Sequence, residues 1–230
     1  MKTTLKLLKA IKNTRDGYHL NSPYWQKFKA NLPNLPKHLF DVAVGMVLSD
    51  ATMYRVSTHA LLKFEQGYAQ KAFIDHLFSL FQSYCFMEEP GIRMDISKGP
   101  RSGQVKSYWF KTFSFHSFTV LWNLFYVEGK KVIGKGLVLN HVTDVSLAYW
   151  IMGDGSLDGQ TMILHTQGFT KEENNIISEE LNIKFGLHSE VIPHKHKYYV
   201  VRIPYTDGPK LSALISPHML PMFKHKIPRA

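Results

Sequence analysis

Two apolar segments, each running out at one aspartate between small residues, constrain this chain more than any other feature. One is Ala43-Val44-Gly45-Met46-Val47-Leu48-Ser49-Asp50-Ala51. The other is Leu147-Ala148-Tyr149-Trp150-Ile151-Met152-Gly153-Asp154-Gly155. Helices this apolar all round must be buried. Aligning the acids puts Ser49 or Gly153 just before each carboxylate and Ala51 or Gly155 just after, so two such helices can approach closely where they finish. Two ends meeting would set two aspartates side by side. Buried carboxylates are costly and a pair repels, so the arrangement makes sense only around a cation. Hard oxygen ligands of this kind suit Mg²⁺.

The charge balance narrows the partner. With 28 Lys and Arg against 18 Asp and Glu, the 230 residues carry +10, which favours a polyanion such as nucleic acid or an anionic membrane face. No apolar run reaches the length of a membrane span, so nucleic acid is expected and a membrane is not. A single cysteine, Cys85, excludes an internal disulfide and a multi-cysteine zinc site. It sits on an apolar helical pattern and reads as inert core, in the cytosol, nucleus or an organelle interior.

In chain order, residues 1–35 open with Lys2, Lys6, Lys9, Lys12 and Arg15 and hold no acid before Asp16, which reads as a basic arm or part of a transit signal. Pro33 and Pro36 close that segment. Residues 53–65 fit a two-stranded piece. Ala72, Phe73, Leu77, Leu80, Phe81 and Tyr84 recur at helical spacing. Residues 91–97 and 105–114 read as strands around a Gly99–Gly103 turn, followed by an apolar helix over 116–127. The second half repeats the order. Thr143 can cap the second motif helix, with Asp144 in its first turn. Residues 161–167 form a strand, and Thr170 with Glu173 make a capping box for a helix ending before Gly186. Residues 187–193 and 197–203 read as a hairpin, and Pro209 starts a last helix that Pro217 interrupts. Gln66-Gly67-Tyr68 and Gln167-Gly168-Phe169 occupy similar places, so the expected organisation is a duplicated α/β unit: arm 1–35, first half 36–135, second half 136–230.

Both apolar segments resemble the motif that names the LAGLIDADG homing endonucleases, with the motif's last acid at Asp50 and Asp154, 104 residues apart. The second copy carries the Gly-Asp-Gly ending. The first has Ser49 where glycine or alanine is usual and Ala51 in place of the final glycine. Within the family, Lys130-Lys131-Val132-Ile133, Ser146-Leu147-Ala148-Tyr149-Trp150, Thr166-Gln167-Gly168-Phe169-Thr170 and Lys226-Ile227-Pro228 are similar to the single-chain, two-motif, I-SceI-like subgroup over most of 38–228. The resemblance implies an α/β (α+β) fold of two pseudo-two-fold αββαββα units, with saddle-shaped antiparallel DNA-binding sheets and the motif helices packed centrally. It implies Mg²⁺-dependent, site-specific cleavage of both strands of a long double-stranded DNA target, by a monomer, for intron homing. Metal ligands would come from Asp50, Ser49, Asp154 and Gly153. Lys131 and Lys226 match positions where the subgroup's lysines order water or stabilise charge; a plain phosphate contact is the alternative for both. Family members are often encoded in organellar introns, which implies a mitochondrion or chloroplast.

DNA contact falls to the strands. Lys63, Arg93, Lys98, Arg101, Lys106 and Lys111 decorate the first set; Gln167, His194, Lys195, His196, Lys197 and Arg202 belong with the second. Strand alternation puts every other residue on one face, which can lie along a major groove. Lysines interleaved in His194-Lys195-His196-Lys197 repel a cation, so phosphate contact is expected there rather than metal. Two other functions remain: an RNA-binding intron maturase of the same fold, and a catalytically dead DNA-binding module.

Overall fold

A computed structural model describes residues 22–195 and 197–229. The basic residues Lys2 to Arg15 and His196 lie outside the described residues. Two compact units are present. One holds the chain up to Leu39 together with Ala51–Val120; the other holds Phe40–Asp50 together with Leu121–Ala230. Both aspartates that end the apolar segments therefore belong to the same unit.

The first unit contains helix α1 (Pro23–Ala30), the start of α2 (Lys37–Leu48), strands β1 (Thr52–Val56) and β2 (His59–Gly67), α3 (Lys71–Phe81), β3 (Gly91–Met94), β4 (Val105–Lys111) and the start of α4 (His116–Phe125). Its antiparallel sheet runs β1-β2-β4-β3. Along β2 every second residue, Ala60, Leu62 and Phe64, is buried, the period of a sheet with one covered face. Phe64 stacks on Phe110 at 4.6 Å and meets Phe81 of α3 at 5.0 Å, so α3 covers that face. Burying each ring contributes about 1.5–3 kcal/mol. The helical segment Pro23–Ala30 is set within the stretch read as an arm: Ser22 caps it and Trp25 packs on Phe113 at 5.1 Å. Cys85 is fully buried, its thiol pushed up by burial and bonded to the Phe81 carbonyl at 3.3 Å.

The second unit holds most of α2, the end of α4, a short hairpin of β5 (Tyr126–Val127) and β6 (Lys130–Lys131), α5 (Leu137–His141), α6 (Asp144–Asp154), β7 (Gly155–Asp158), β8 (Thr161–Leu164), α7 (Lys171–Phe185), β9 (Glu190–His194), β10 (Tyr198–Ile203) and α8 (Gly208–Ile215). Its antiparallel sheet runs β7-β8-β10-β9, the same order as in the first unit. The Thr170–Glu173 capping box forms with both of its bonds, and Gly186 ends α7 at φ 62. Strand β7 directly after α6, and helix α5, were not expected from the sequence pattern. β7 is only four residues long and follows the helix with no intervening turn signal. Helix α5 is one turn whose start is held by the buried Glu180, which accepts from the Gly136 and Leu139 amides, a long-range contact with no local signature.

Candidate active site

The two apolar helices touch. A Cβ on Gly45 would lie 2.2 Å from the carbonyl oxygen of Ser146 and 3.0 Å from Cβ of Tyr149, so only glycine permits this approach. At the other end a Cβ on Gly153 would lie 2.5 Å from Ser49 Oγ and 3.1 Å from Asp50 Oδ2. These are the contacts that small residues around each acid make available. Along the way every residue from Val42 to Leu48 and from Ser146 to Met152 is buried.

The helices stop differently. α2 ends at Leu48, so Ser49 and Asp50 lie beyond it and Asp50 is exposed. Ser49 turns its hydroxyl back onto the Gly45 and Met46 carbonyls at 3.1 and 3.3 Å. α6 continues through Asp154, which is partly buried. Burial pushes the Asp154 carboxyl up to about 7, and Asp50 adds to the rise, while Lys131 and Lys226 pull it back. Two carboxylates close enough to repel, with small residues making room beside them, could hold a cation.

Each of the two lysines reaches the end of one motif helix. Lys131 Nζ donates to the Val47 carbonyl of α2 at 2.5 Å. Lys226 Nζ donates to the Met152 and Ile151 carbonyls of α6 at 2.8 and 3.2 Å. The last turn carries the negative end of the helix dipole, so a cation is favoured there, and the Ile151 carbonyl also accepts from the Gly155 amide. Burial lowers both lysines' pKa values, opposed by the charges of Asp154 and Asp50. Lys131 also lies 5.5 Å over the Phe169 ring and Lys226 5.2 Å over Phe223. Local structure delivers Lys131: Glu128 and Gly129, at φ 50 and 77, make the left-handed two-residue loop of the β5–β6 hairpin. Lys226 ends a 3₁₀ stretch, Pro221–Lys226, anchored by buried Phe223.

The basic strand residues divide. Lys63, Arg93 and Ser107 gather around Glu65 on the sheet face opposite the Phe64–Phe110 stack: Lys63 Nζ lies 2.6 Å and Arg93 Nε 3.3 Å from its carboxylate. Lys111 shares that parity and lies 5.8 Å from the Phe86 ring. Lys106 has the other parity, and Lys98 and Arg101 sit on the exposed connection between β3 and β4. In the second sheet Arg202 pairs with Glu190, and His194 stands 6.3 Å from the His165 ring, whose Nε2 is 2.8 Å from Ser156 Oγ. Lys195, at φ 51, and Lys197 occupy the β9–β10 turn, and Gln167 is exposed before α7. Glu65, Ser107, Ser156 and His165 were missed by sequence reasoning. For Glu65, Ser107 and Ser156 the signal, alternation within a strand, depends on a register that pairing decides, and His165 lies just past the end of β8.

Among the described residues no helix is long and apolar enough to cross a membrane, and no group of three or more His, Cys, Asp or Glu gathers as a metal cluster. Comparison with known proteins agrees with the fold and the motif pair. The model of the LAGLIDADG DNA endonuclease family matches residues 40–211. A probable intron-encoded endonuclease 1 of Wickerhamomyces canadensis is 32% identical over 230 residues, covering 95% of this chain and 97% of that protein. A probable intron-encoded DNA endonuclease 3 of Mycosarcoma maydis is 53% identical over 133 residues, 55% of this chain and 97% of that one. The cytochrome b mRNA maturase bI2 of Saccharomyces cerevisiae is 25% identical over 97% of this chain and 55% of its own length. Among solved structures, the homing endonuclease I-WcaI bound to its DNA recognition sequence superposes with a TM-score of 0.83 at 31% identity, over 92% of this chain and 95% of that one. With the family match spanning most of the chain and including both aspartate-ended helices, this protein belongs to the LAGLIDADG DNA endonuclease family.

Proposed function

We propose that the chain is a site-specific DNA endonuclease that hydrolyses one phosphodiester in each strand of a long asymmetric double-stranded target, acting as a monomer. The observation that carries this reading is the Asp50–Asp154 pair at the glycine-mediated helix contact, with two half-buried lysines around it. The donor set fits a hard cation. Two carboxylates and nearby main-chain carbonyls, with no third acid or histidine in a cluster among the described residues, suit Mg²⁺, which takes one or two carboxylates and keeps several waters. Asp50 and Asp154 would hold it, with Ser49 and Gly153 as the further metal residues that the family resemblance implies. When bound, the ion neutralises charge on the attacking and leaving oxygens of phosphoryl transfer.

The protein's own groups do the rest. Asp154 must be ionised to serve, and its raised carboxyl makes it a group that gives up a proton when a cation arrives. Lys131 and Lys226, tied to helix-end carbonyls, keep positive charge beside the carboxylates. There they can position a water or stabilise charge developing on a phosphate. Lys63, Arg93, Lys98, Arg101, Lys106, Lys111, Gln167, His194, Lys195, His196, Lys197 and Arg202 are proposed for the duplex. Intron homing in an organellar genome is the setting that the intron-encoded relatives suggest.

The test is selection of cleaved sites from a randomised DNA library with Mg²⁺. Recovery of one long asymmetric site cut in both strands supports the reading. The maturase relative favours one alternative, RNA-binding splicing assistance. No cleavage together with stimulated splicing of the chain's own intron would replace the endonuclease by that function.

A further inference from the structure

We propose that Glu65 is a positioning residue that sets base-pair discrimination on the face of the first sheet opposite its aromatic core, by holding Lys63 and Arg93 in one reading geometry. The inference rests on the reading that this face meets DNA. Three strands converge on one carboxylate: Lys63 of β2 donates to Oε2 at 2.6 Å, Ser107 of β4 donates to Oε1 at 2.6 Å, and Arg93 Nε of β3 lies 3.3 Å from Oε1. The register makes this possible, since Arg93 faces Ser107 and Ser107 faces Gly67 across neighbouring strands. Burial raises the Glu65 pKa, but the bonds from Lys63 and Ser107 and the charges of Lys63 and Arg93 outweigh it. The net effect leaves the group ionised and acceptor-only.

A carboxylate on a face meant for a polyanion opposes binding, because affinity for DNA comes mainly from cations at phosphates. Its arrangement makes sense for geometry instead. Two cations side by side would repel and sample many rotamers; bridged by one carboxylate they share one arrangement. Arg93 is ion-paired to Glu65 through its Nε side, which leaves the two terminal nitrogens of its fork for a second acceptor, and Lys63 spends one of three donors. A fork held this way matches the paired acceptors of guanine in the major groove.

The second sheet lacks the device. Lys63 pairs with Thr52, and Ile163 pairs with Ser156 at the corresponding place in its hairpin. Two residues further on stand Glu65 in one hairpin and His165 in the other. Where Glu65 is ion-paired with Arg93, His165 faces His194 at 6.3 Å between rings. Among the described residues the bridged cations therefore belong to the first sheet.

The experiment measures affinity for a cleaved site selected from a random library, affinity for random-sequence DNA, and cleavage of every single-base variant of that site. Glu65→Gln should bind random DNA about two- to fivefold more tightly, with a salt dependence steeper by up to about one unit. It should lose about tenfold discrimination at the few base pairs that Lys63→Met and Arg93→Ala also relax. In the Lys63→Met/Arg93→Ala background it should relax nothing further. Ser107→Ala should act in the same direction with smaller effect, and Glu179→Gln, an exposed helix charge on α7, should leave the preference profile alone. Unchanged discrimination in Glu65→Gln, while Lys63→Met and Arg93→Ala lose it, overturns the proposal and spares the DNA reading. A loss spread evenly over all positions also overturns it, as a structural effect. If Lys63→Met and Arg93→Ala change neither affinity nor preference, the reading that this face meets DNA fails, and the proposal with it.

Discussion

The two motif helices carry the same acid and finish in different ways. The first stops at Leu48 and leaves Asp50 exposed beyond it, with Ser49 folded back on its own helix. The second runs through Asp154, whose carboxyl burial pushes up to about 7. Their lysines differ as well: Lys131 meets one carbonyl of its helix, Lys226 two. A duplicated pattern can thus supply two like charges in unlike environments, and the difference teaches that the halves of one site need not share the chemical work equally.

The largest effect should come from the acids. Asp50→Asn and Asp154→Asn should each lower double-strand cleavage by more than about a hundredfold, beyond the loss expected for a residue that only orients a ligand. Binding to the same DNA should be largely kept, because it rests on Lys and Arg contacts. Gel-shift and single-turnover assays check this. A variant that still cuts at the parental rate would remove that aspartate from the site.

The glycines sharpen the comparison at the helix contact. Gly45→Ala drives a Cβ into the Ser146 main-chain carbonyl, which cannot turn away, so it should cost about 1–3 kcal/mol or more in thermal or denaturant unfolding. Gly153→Ala instead meets Ser49 Oγ and Cβ and Asp50 Oδ2, in the two residues just beyond the end of α2 rather than in the main chain of the other helix, so the chain there must shift. It should displace Asp50, slowing cleavage with a smaller loss of stability. Equal stability losses in the two variants would break the distinction.

Lys131→Met and Lys226→Met keep the aliphatic bulk and remove the charge. Each should slow single-turnover cleavage by about ten- to hundredfold with a nearly unchanged dissociation constant. Because the halves differ, one strand should slow more than the other and nicked DNA should accumulate. Weaker binding with an unchanged rate at saturation would make both lysines phosphate anchors.

The smallest effect expected is graded with pH. For Asp154 the folded carboxyl titrates near 7 against an ordinary 3.8, so without metal the folded state favours the neutral acid. Its contribution to folding stability is present at low pH and declines as pH rises from about 4 to 7, because the unfolded chain releases that proton first. Metal binding needs the ionised form. At subsaturating Mg²⁺ cleavage should therefore rise with pH by up to about tenfold per unit below 7 and level off above it. Thermal unfolding of the metal-free protein across pH 4–7, with Asp154→Asn as reference, checks the stability arm. A profile already flat below pH 6 would contradict the raised carboxyl.

The legible parts of this molecule were those governed by short-range physics. Apolar runs at 43–51 and 147–155 demand burial wherever they lie. Thr170 with Glu173 and Gly186 mark the two ends of one helix by satisfying its terminal backbone groups within a few residues. The β5–β6 loop could not be recognised in the same way, since Glu128 takes a left-handed conformation that its residue type does not announce. Helix α5 depends on Glu180, more than forty residues away in sequence, and so left no local trace.

By itself, then, the sequence determined that two small-flanked aspartates would end two buried helices in a basic chain, because burial and close approach follow from residue type and spacing. Which helix would carry Asp154 to its last residue and leave Asp50 beyond the end was decided only in three dimensions. So was the pairing of Lys131 with Val47 and of Lys226 with Met152, and the gathering of Lys63, Arg93 and Ser107 around Glu65. The physical reason is common to all of them. Each depends on strand register or on a contact between distant segments, and both are set by the free energy of the whole packed unit rather than by any local stretch of chain.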